Sequence, residues 1–253
     1  MSRRKGLRTI SVTDHDAVDG VAEAIVAVED GGLEIIPGVE ISAHTGATEV
    51  HILGYFVDDA CQEFVCALGR FRQSRLERAR EMVARLRAQG VFLSWERVFE
   101  LAGEGAVGRP HIARVMQEAR YVGTVQEAFE RYLGRQQPAY VPRLKMMPEQ
   151  AMHLIREAGG LPVLAHPRGV EFAIPDLVAG GLVGLEAHYM GYSSQKVAHL
   201  RDVAGHHDLV CTGGSDFHGL AILPENRLGG VYVPQECLAA LRERRRLLYP
   251  RVD

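Results

Sequence analysis

Short runs of β-branched and other apolar residues recur along the chain, and each ends in polar residues: 9–13, 33–42, 49–57, 161–165, 182–188, 209–213 and 228–233. Runs this short and this apolar read as strands, and helical spacing fills several of the gaps, as at 18–29 and 194–206. A strand followed by a helix, repeated, buries both faces of a mainly parallel sheet, so the chain is expected to be an α/β protein. With 253 residues, 47% of them hydrophobic, it can fill one large domain or a domain with an insertion.

The stretch 62–157 breaks the alternation, because helical patterns follow one another there without a convincing strand. Its first helix sets Leu68, Phe71, Leu76, Ala79, Val83 and Leu86 at helical spacing and crowds arginines over much of the rest, with Gly90 as the stop. The arginines read first as a solvated face, and so do Arg242 and the run Arg244, Arg245, Arg246. The expected organisation is a first sheet segment over 1–61, a helical insertion over 62–157 and a second sheet segment over 158–253.

Charge excludes some functions and leaves others open. A net charge of -3 gives no bulk attraction to nucleic acid or to an anionic membrane, so an anionic substrate needs a local cluster of cations. No apolar run has the length of a signal peptide or membrane span, and a cytoplasmic protein is expected. The four cysteines form no Cys-x-x-Cys pair, which argues against a disulfide framework or a thiolate zinc site. Nucleophile elbows, phosphate-cradling Walker loops and dinucleotide-binding glycine patterns are absent from the sequence.

Histidines beside carboxylates at strand ends carry the chemistry. The first strand runs into Thr13, Asp14, His15 and Asp16; the second holds Glu40 inside an apolar run; the third carries His51. Two later strands end in Leu164-Ala165-His166-Pro167 and in Gly213-Gly214-Ser215-Asp216-Phe217-His218-Gly219. Side chains at the carboxyl ends of strands converge in such folds, so distant positions can meet. A buried carboxylate is costly alone, and Glu40 therefore requires a cation or strong donors beside it. Taken together, His15, Glu40, His51, His166, Asp216 and His218 form a nitrogen and oxygen donor set suited to manganese, zinc or iron. Paired ions on such a set hold a hydroxide and clamp a phosphate ester, a hydrolysis that needs no serine or cysteine nucleophile.

Thr13-Asp14-His15, Glu40, His51, His166 and Asp216-Phe217-His218 together resemble the polymerase and histidinol phosphatase (PHP) family. That resemblance implies a distorted seven-stranded β/α barrel, similar to a TIM barrel, with two or three divalent metal ions at its mouth. Gly108-Arg109-Pro110-His111, Tyr132-Leu133-Gly134-Arg135 and Pro138-Ala139-Tyr140-Val141-Pro142 resemble a branch with a helical insertion. Its members act as 3',5'-nucleoside bisphosphate phosphatases that release a nucleoside 5'-monophosphate, or as 5'-to-3' exoribonucleases on short RNA. The branch implies that Arg109, His111 and Arg135 face substrate phosphates over the metals, with Arg168 a weaker candidate of the same kind. Guanidinium groups suit that role because they donate two parallel hydrogen bonds. No stable protein partner and no membrane association is implied.

The family's opening strand, with its His-x-His pair and following acid, has no counterpart in this sequence, so the barrel is expected without its first strand. A start set too late for a longer native protein is the expected cause, since a barrel lacking a strand exposes two unpaired edges. The alternative is a naturally shortened chain, which would favour a non-catalytic binding or regulatory protein. Glu186 and His188 are read as partners lying behind the donors, with a structural role preferred. His44 and the pair His206-His207 lie outside the pattern.

Overall fold

The computed structural model describes residues 2–28, 31–46, 48–102, 107–142, 146–218 and 226–250. In chain order its elements are β1 (Thr9–Val12), α1 (Asp19–Val26), β2 (Glu34–Thr45), β3 (Thr48–Tyr55), α2 (Gln62–Ala88), α3 (Trp95–Ala102), α4 (Arg109–Glu118), α5 (Val125–Ala128), α6 (Pro148–Glu157), β4 (Leu161–Leu164), α7 (Ile174–Ala179), β5 (Gly184–Tyr189), α8 (Ser194–His206), β6 (Val210–Gly214) and α9 (Gln235–Leu248). Glu29, at the end of the first expected helix, lies outside the described residues.

The protein is α/β, and the described residues form one six-stranded sheet in the order β1-β2-β3-β4-β5-β6. Neighbours run parallel at β1-β2, β4-β5 and β5-β6, whereas β3 is antiparallel to both of its neighbours. The sheet is thus mixed rather than mainly parallel: β2 and β3 form a hairpin, since a connection that short cannot cross back over the sheet. Six of the expected strands form. The run 228–233 does not, because Gly229 (φ 67°) and Gly230 supply no side chains to pack and Pro234 then leads into α9.

The chain divides into two compact units, one of residues 1–65 and 146–253, the other of residues 66–145. The sheet belongs to the first, and α6 belongs with it. The sheet's core includes Ile36, Leu53, Tyr55, Phe56, Leu161, Val163 and Val183, closed over by Leu241 of α9. Burying such side chains contributes about 1.5–3 kcal/mol each, offset by the entropy of ordering the chain.

The second unit has its own core, with Met82, Leu86, Val98, Ile112, Met116 and Leu133 fully buried. The arginine-rich α2 puts Ala79, Met82 and Leu86 into that core. Two of its arginines tie the unit together, Arg78 donating to the Val141 carbonyl (2.7 Å) and Arg85 to that of Tyr140 (2.6 Å). The helix stops at Gly90 (φ 81°), and Val91 N–H closes on the Leu86 carbonyl at 3.0 Å. Among the described residues, no helix is long and apolar enough to cross a membrane.

Candidate metal centre

Pairing between β1 and β2 sets the first part of the site. A further parallel bridge joins His15 to Glu40 beyond the end of β1, with Asp16 N–H on the Glu40 carbonyl (2.9 Å) and Glu40 N–H on that of Asp14 (3.1 Å). Gly38 permits the close approach: a methyl there would sit 2.9 Å from the Val12 carbonyl oxygen. Asp16, the third of the consecutive candidates, is buried and accepts from Ser42 N–H (3.1 Å), which locks the turn that carries His15.

Across the hairpin, Glu40 faces Leu53 and Ser42 faces His51, so Glu40 and His51 are diagonal neighbours on one face. Since β3 runs antiparallel, His51 lies near its start yet reaches the edge where the parallel strands end. Ala165 N–H bonds the His51 carbonyl (3.0 Å) and carries the chain into His166.

Glu40 is the hub. It is 4% exposed, and His51 Nδ1 lies 2.7 Å and His166 Nε2 3.2 Å from its Oε1, while His15 Nε2 lies 3.7 Å from Oε2. Burial raises the Glu40 carboxyl, but the hydrogen bonds from His166 and His51, with the charges of His15 and His51, outweigh it and hold the group well below the usual carboxylate range. Burial would lower His51, yet its bonds to Glu40 and Glu49 push it up to about 9. His15 is lowered, chiefly by burial, and its Nδ1 is buried without a hydrogen-bond partner among the described residues.

The other candidates join the same cluster. The His218 ring lies 5.8 Å from that of His15, and His218 Nδ1 is 2.9 Å from the Asp216 carbonyl oxygen. Asp216 accepts a 2.8 Å hydrogen bond from the Tyr189 hydroxyl, and the Tyr189 ring sits 5.4 Å from that of His166. His166 and Asp216 both have positive φ, 26° and 49°, which costs energy and turns each side chain out of its strand's path. Gly219, last of its motif, lies outside the described residues.

Sequence reasoning missed Tyr189, and the sheet explains why. Between Glu186 and His188 the register of β5 against β6 shifts, leaving Ala187 as the extra residue. Alternation would put Glu186 and His188 on one face; the bulge puts Glu186 and Tyr189 there instead. Glu186 is buried and accepts from His166 N–H (3.0 Å). Burial, with the charges of Glu40 and Asp216 nearby, pushes its carboxyl up to about 8 against that bond. His188 is also buried, its Nε2 has no hydrogen-bond partner among the described residues, and its pKa is lowered by burial and by Arg201. His44 pairs weakly with Glu49 at 4.0 Å, and the rings of His206 and His207 meet edge to face at the end of α8.

In the helical unit, Arg109 opens α4 and is half-buried: its guanidinium lies over the rings of Phe129 (5.4 Å) and Tyr140 (5.7 Å) and Nη1 donates to the Leu133 carbonyl (3.3 Å). His111 Nδ1 accepts from Gly108 N–H (3.1 Å), capping the helix, and burial lowers its pKa. Arg135 is exposed.

The donor chemistry fits a divalent cation. His15, Glu40 and His51 each offer a ligand atom, and these atoms all lie within 4.8 Å of one another. The unpartnered His15 nitrogen and the deprotonated Glu40 are the forms in which such groups ligate.

No family model matches the sequence. The chain is 33% identical over 217 residues to the 3',5'-nucleoside bisphosphate phosphatase of Chromobacterium violaceum, covering 83% of this chain and 76% of that protein. It is 34% identical over 224 residues to the 5'-3' exoribonuclease Rnm of Salmonella typhimurium, covering 83% and 75%. A crystal structure of a putative metal-dependent phosphoesterase from Bifidobacterium adolescentis superposes with a TM-score of 0.79 at 30% identity, covering 96% of this chain and 88% of that one. A mixed sheet that gathers imidazoles around a buried carboxylate, in a chain this similar to phosphate-cleaving enzymes, makes the protein a metal-dependent phosphoesterase, a hydrolase. It belongs to the polymerase and histidinol phosphatase family, in the branch of the nucleoside bisphosphate phosphatases and exoribonucleases.

Proposed function

We propose that the chain removes the 3'-phosphate from 3',5'-nucleoside bisphosphates, or nucleotides from short RNA, on a metal centre held by His15, Glu40, His51, His166, Asp216 and His218. The observation that carries this reading is Glu40, a buried carboxylate with three imidazoles around it. Two or three divalent ions, manganese, zinc or iron, would supply a hydroxide at neutral pH and neutralise the phosphate oxygens.

Glu40 would hold the ions through both of its carboxylate oxygens, since Oε1 faces His51 and His166 and Oε2 faces His15. Tyr189 orients the Asp216 carboxylate by donating to Oδ2, and Asp216 would help hold an ion in that orientation. Glu186 anchors the strained backbone of His166. In hydrolysis the water oxygen bonds to phosphorus as the bond to the ribose oxygen breaks, and a proton passes to that oxygen. Within the helical insertion, 62–157, Arg109, His111 and Arg135 are proposed to bind substrate phosphates; the stacked guanidinium of Arg109 supports this by its fixed plane. The reading includes cytoplasmic action on small nucleotides without a stable protein partner.

The test is elemental analysis of the purified protein beside phosphate release from adenosine 3',5'-bisphosphate with added manganese. Two or more ions with turnover, both lost in Glu40→Gln, is the expected result. One ion or none without turnover would make the chain a non-catalytic binding or regulatory form.

A further inference from the structure

Asp216 and His218 are carried by a backbone turn that needs outside support. Asp216 has φ 49°, in the left-handed region that residues with a side chain rarely adopt, and such a conformation persists only where its surroundings over-determine it. Tyr189 acts on the Asp216 carboxylate and leaves this backbone alone. The backbone is met at the Asp216 carbonyl, whose oxygen lies 2.9 Å from His218 Nδ1 and 3.0 Å from Asn226 Nδ2. A carbonyl oxygen only accepts and has two lone pairs, so both nitrogens donate to it and together they fill it.

Each donor has its own consequence. A proton on His218 Nδ1 leaves Nε2 of the neutral ring with its lone pair, the form in which an imidazole binds a metal. His218 belongs to the same turn as Asp216, however, and moves with it. Asn226 reaches in from another segment. Its residue is only 8% exposed, and it leads into a turn closed by Gly230 N–H on the Arg227 carbonyl at 2.7 Å. That turn is lodged against the sheet unit on two sides: a methyl at Gly229 would lie 3.4 Å from the Leu7 side chain, just before β1, and one at Gly230 would run into Met190 Cε, just after β5. Through Asn226 the turn that bears Asp216 and His218 is thus tied to segments flanking β1 and β5.

We propose that Asn226 is a positioning residue of the metal centre, its side-chain amide holding the Asp216 carbonyl so that the Asp216 carboxylate and His218 Nε2 are presented together to the cation. This assignment rests on the reading of Asp216 and His218 as donors to the ion. Tyr189 and Asn226 then divide the work, the phenol setting the carboxylate and the amide setting the backbone beneath it.

The experiment titrates manganese into metal-stripped wild type, Asn226→Leu, Asn226→Ala and Asp216→Asn, and records the visible absorption of the same proteins loaded with cobalt(II). Leucine is close to asparagine in shape and donates no hydrogen bond, and alanine removes the amide altogether. Groups behind metal ligands typically change metal affinity about 10- to 100-fold, and both Asn226 variants are expected to bind manganese more weakly by about that factor. Their cobalt bands are expected to change in position and intensity, because the imidazole and carboxylate no longer meet the ion in the same geometry. Thermal melting of the stripped proteins shows that each variant is folded. A folded Asn226 variant with wild-type manganese affinity and cobalt spectrum overturns the assignment, whether or not it melts lower, since a loss of stability alone would make Asn226 a residue of the fold. If Asp216→Asn changes both readouts while the Asn226 variants do not, the donor reading stands and only the role of Asn226 fails. If Asp216→Asn also leaves both unchanged, the donor reading fails and the assignment with it.

Discussion

At the residue scale, the centre depends on how its carboxylates are oriented. Glu40 has histidines on three sides, whereas Asp216 accepts from the Tyr189 phenol at Oδ2 and has His218 Nδ1 3.4 Å from Oδ1. Burial and the adjacent carboxylate push the Tyr189 hydroxyl up, so it stays a donor at any physiological pH. Residues behind metal ligands typically affect metal affinity by about 10- to 100-fold. Tyr189→Phe, which removes only that hydroxyl, is therefore expected to weaken manganese binding by roughly that factor, read by titrating manganese into stripped protein. Unchanged metal affinity would reduce Tyr189 to a packing residue.

At the element scale, the approach of β1 to β2 decides whether His15 meets Glu40. A methyl at Gly38 would lie 2.5 Å from Ser11 Oγ, 2.7 Å from Thr13 Cγ2 and 2.9 Å from the Val12 carbonyl oxygen. The last of these is backbone and cannot rotate away, so β1 must shift. Overpacking of this kind costs about 1–3 kcal/mol. Gly38→Ala is expected to lower the urea midpoint accordingly, without changing the slope of the transition, and to lose metal affinity by disturbing the His15–Glu40 bridge. An unshifted midpoint would mean that the strands separate freely.

At the scale of the whole molecule, the centre joins both ends of the sheet unit: His15 stands at the first strand and Asp216 and His218 just past the last. A cation bound there stabilises the folded chain by mass action, about 2.7 kcal/mol at a hundredfold excess over Kd. Manganese is expected to raise the melting temperature and a chelator to reverse it, as followed by thermal denaturation. A melting temperature indifferent to both would place the ion, if bound at all, away from the sheet. The net charge of -3 gives such a protein no general attraction for polyanions, so recognition of phosphate falls to individual arginines.

The sequence by itself determined the α/β class and the positions of six strands, and it singled out the residues proposed as the donor set. Those are local matters: strand periodicity shows in consecutive side chains, and a carboxylate in an apolar run implies a partner wherever the chain goes. What required the tertiary structure was non-local. A single extra residue in β5, visible only against β6, exchanged His188 for Tyr189 at the centre. The antiparallel course of β3 brought His51 from the start of its strand to the edge where the other strands end. The run 228–233 looked like a strand by composition but pairs with no strand among the described residues. Arg168 stood out in the sequence only as a weaker phosphate-facing candidate, and the rings of Tyr189 and Tyr192 beneath it came from the fold. Register, bulge and stacking are fixed by pairing between segments far apart in the chain, and a local pattern carries no record of its distant neighbour.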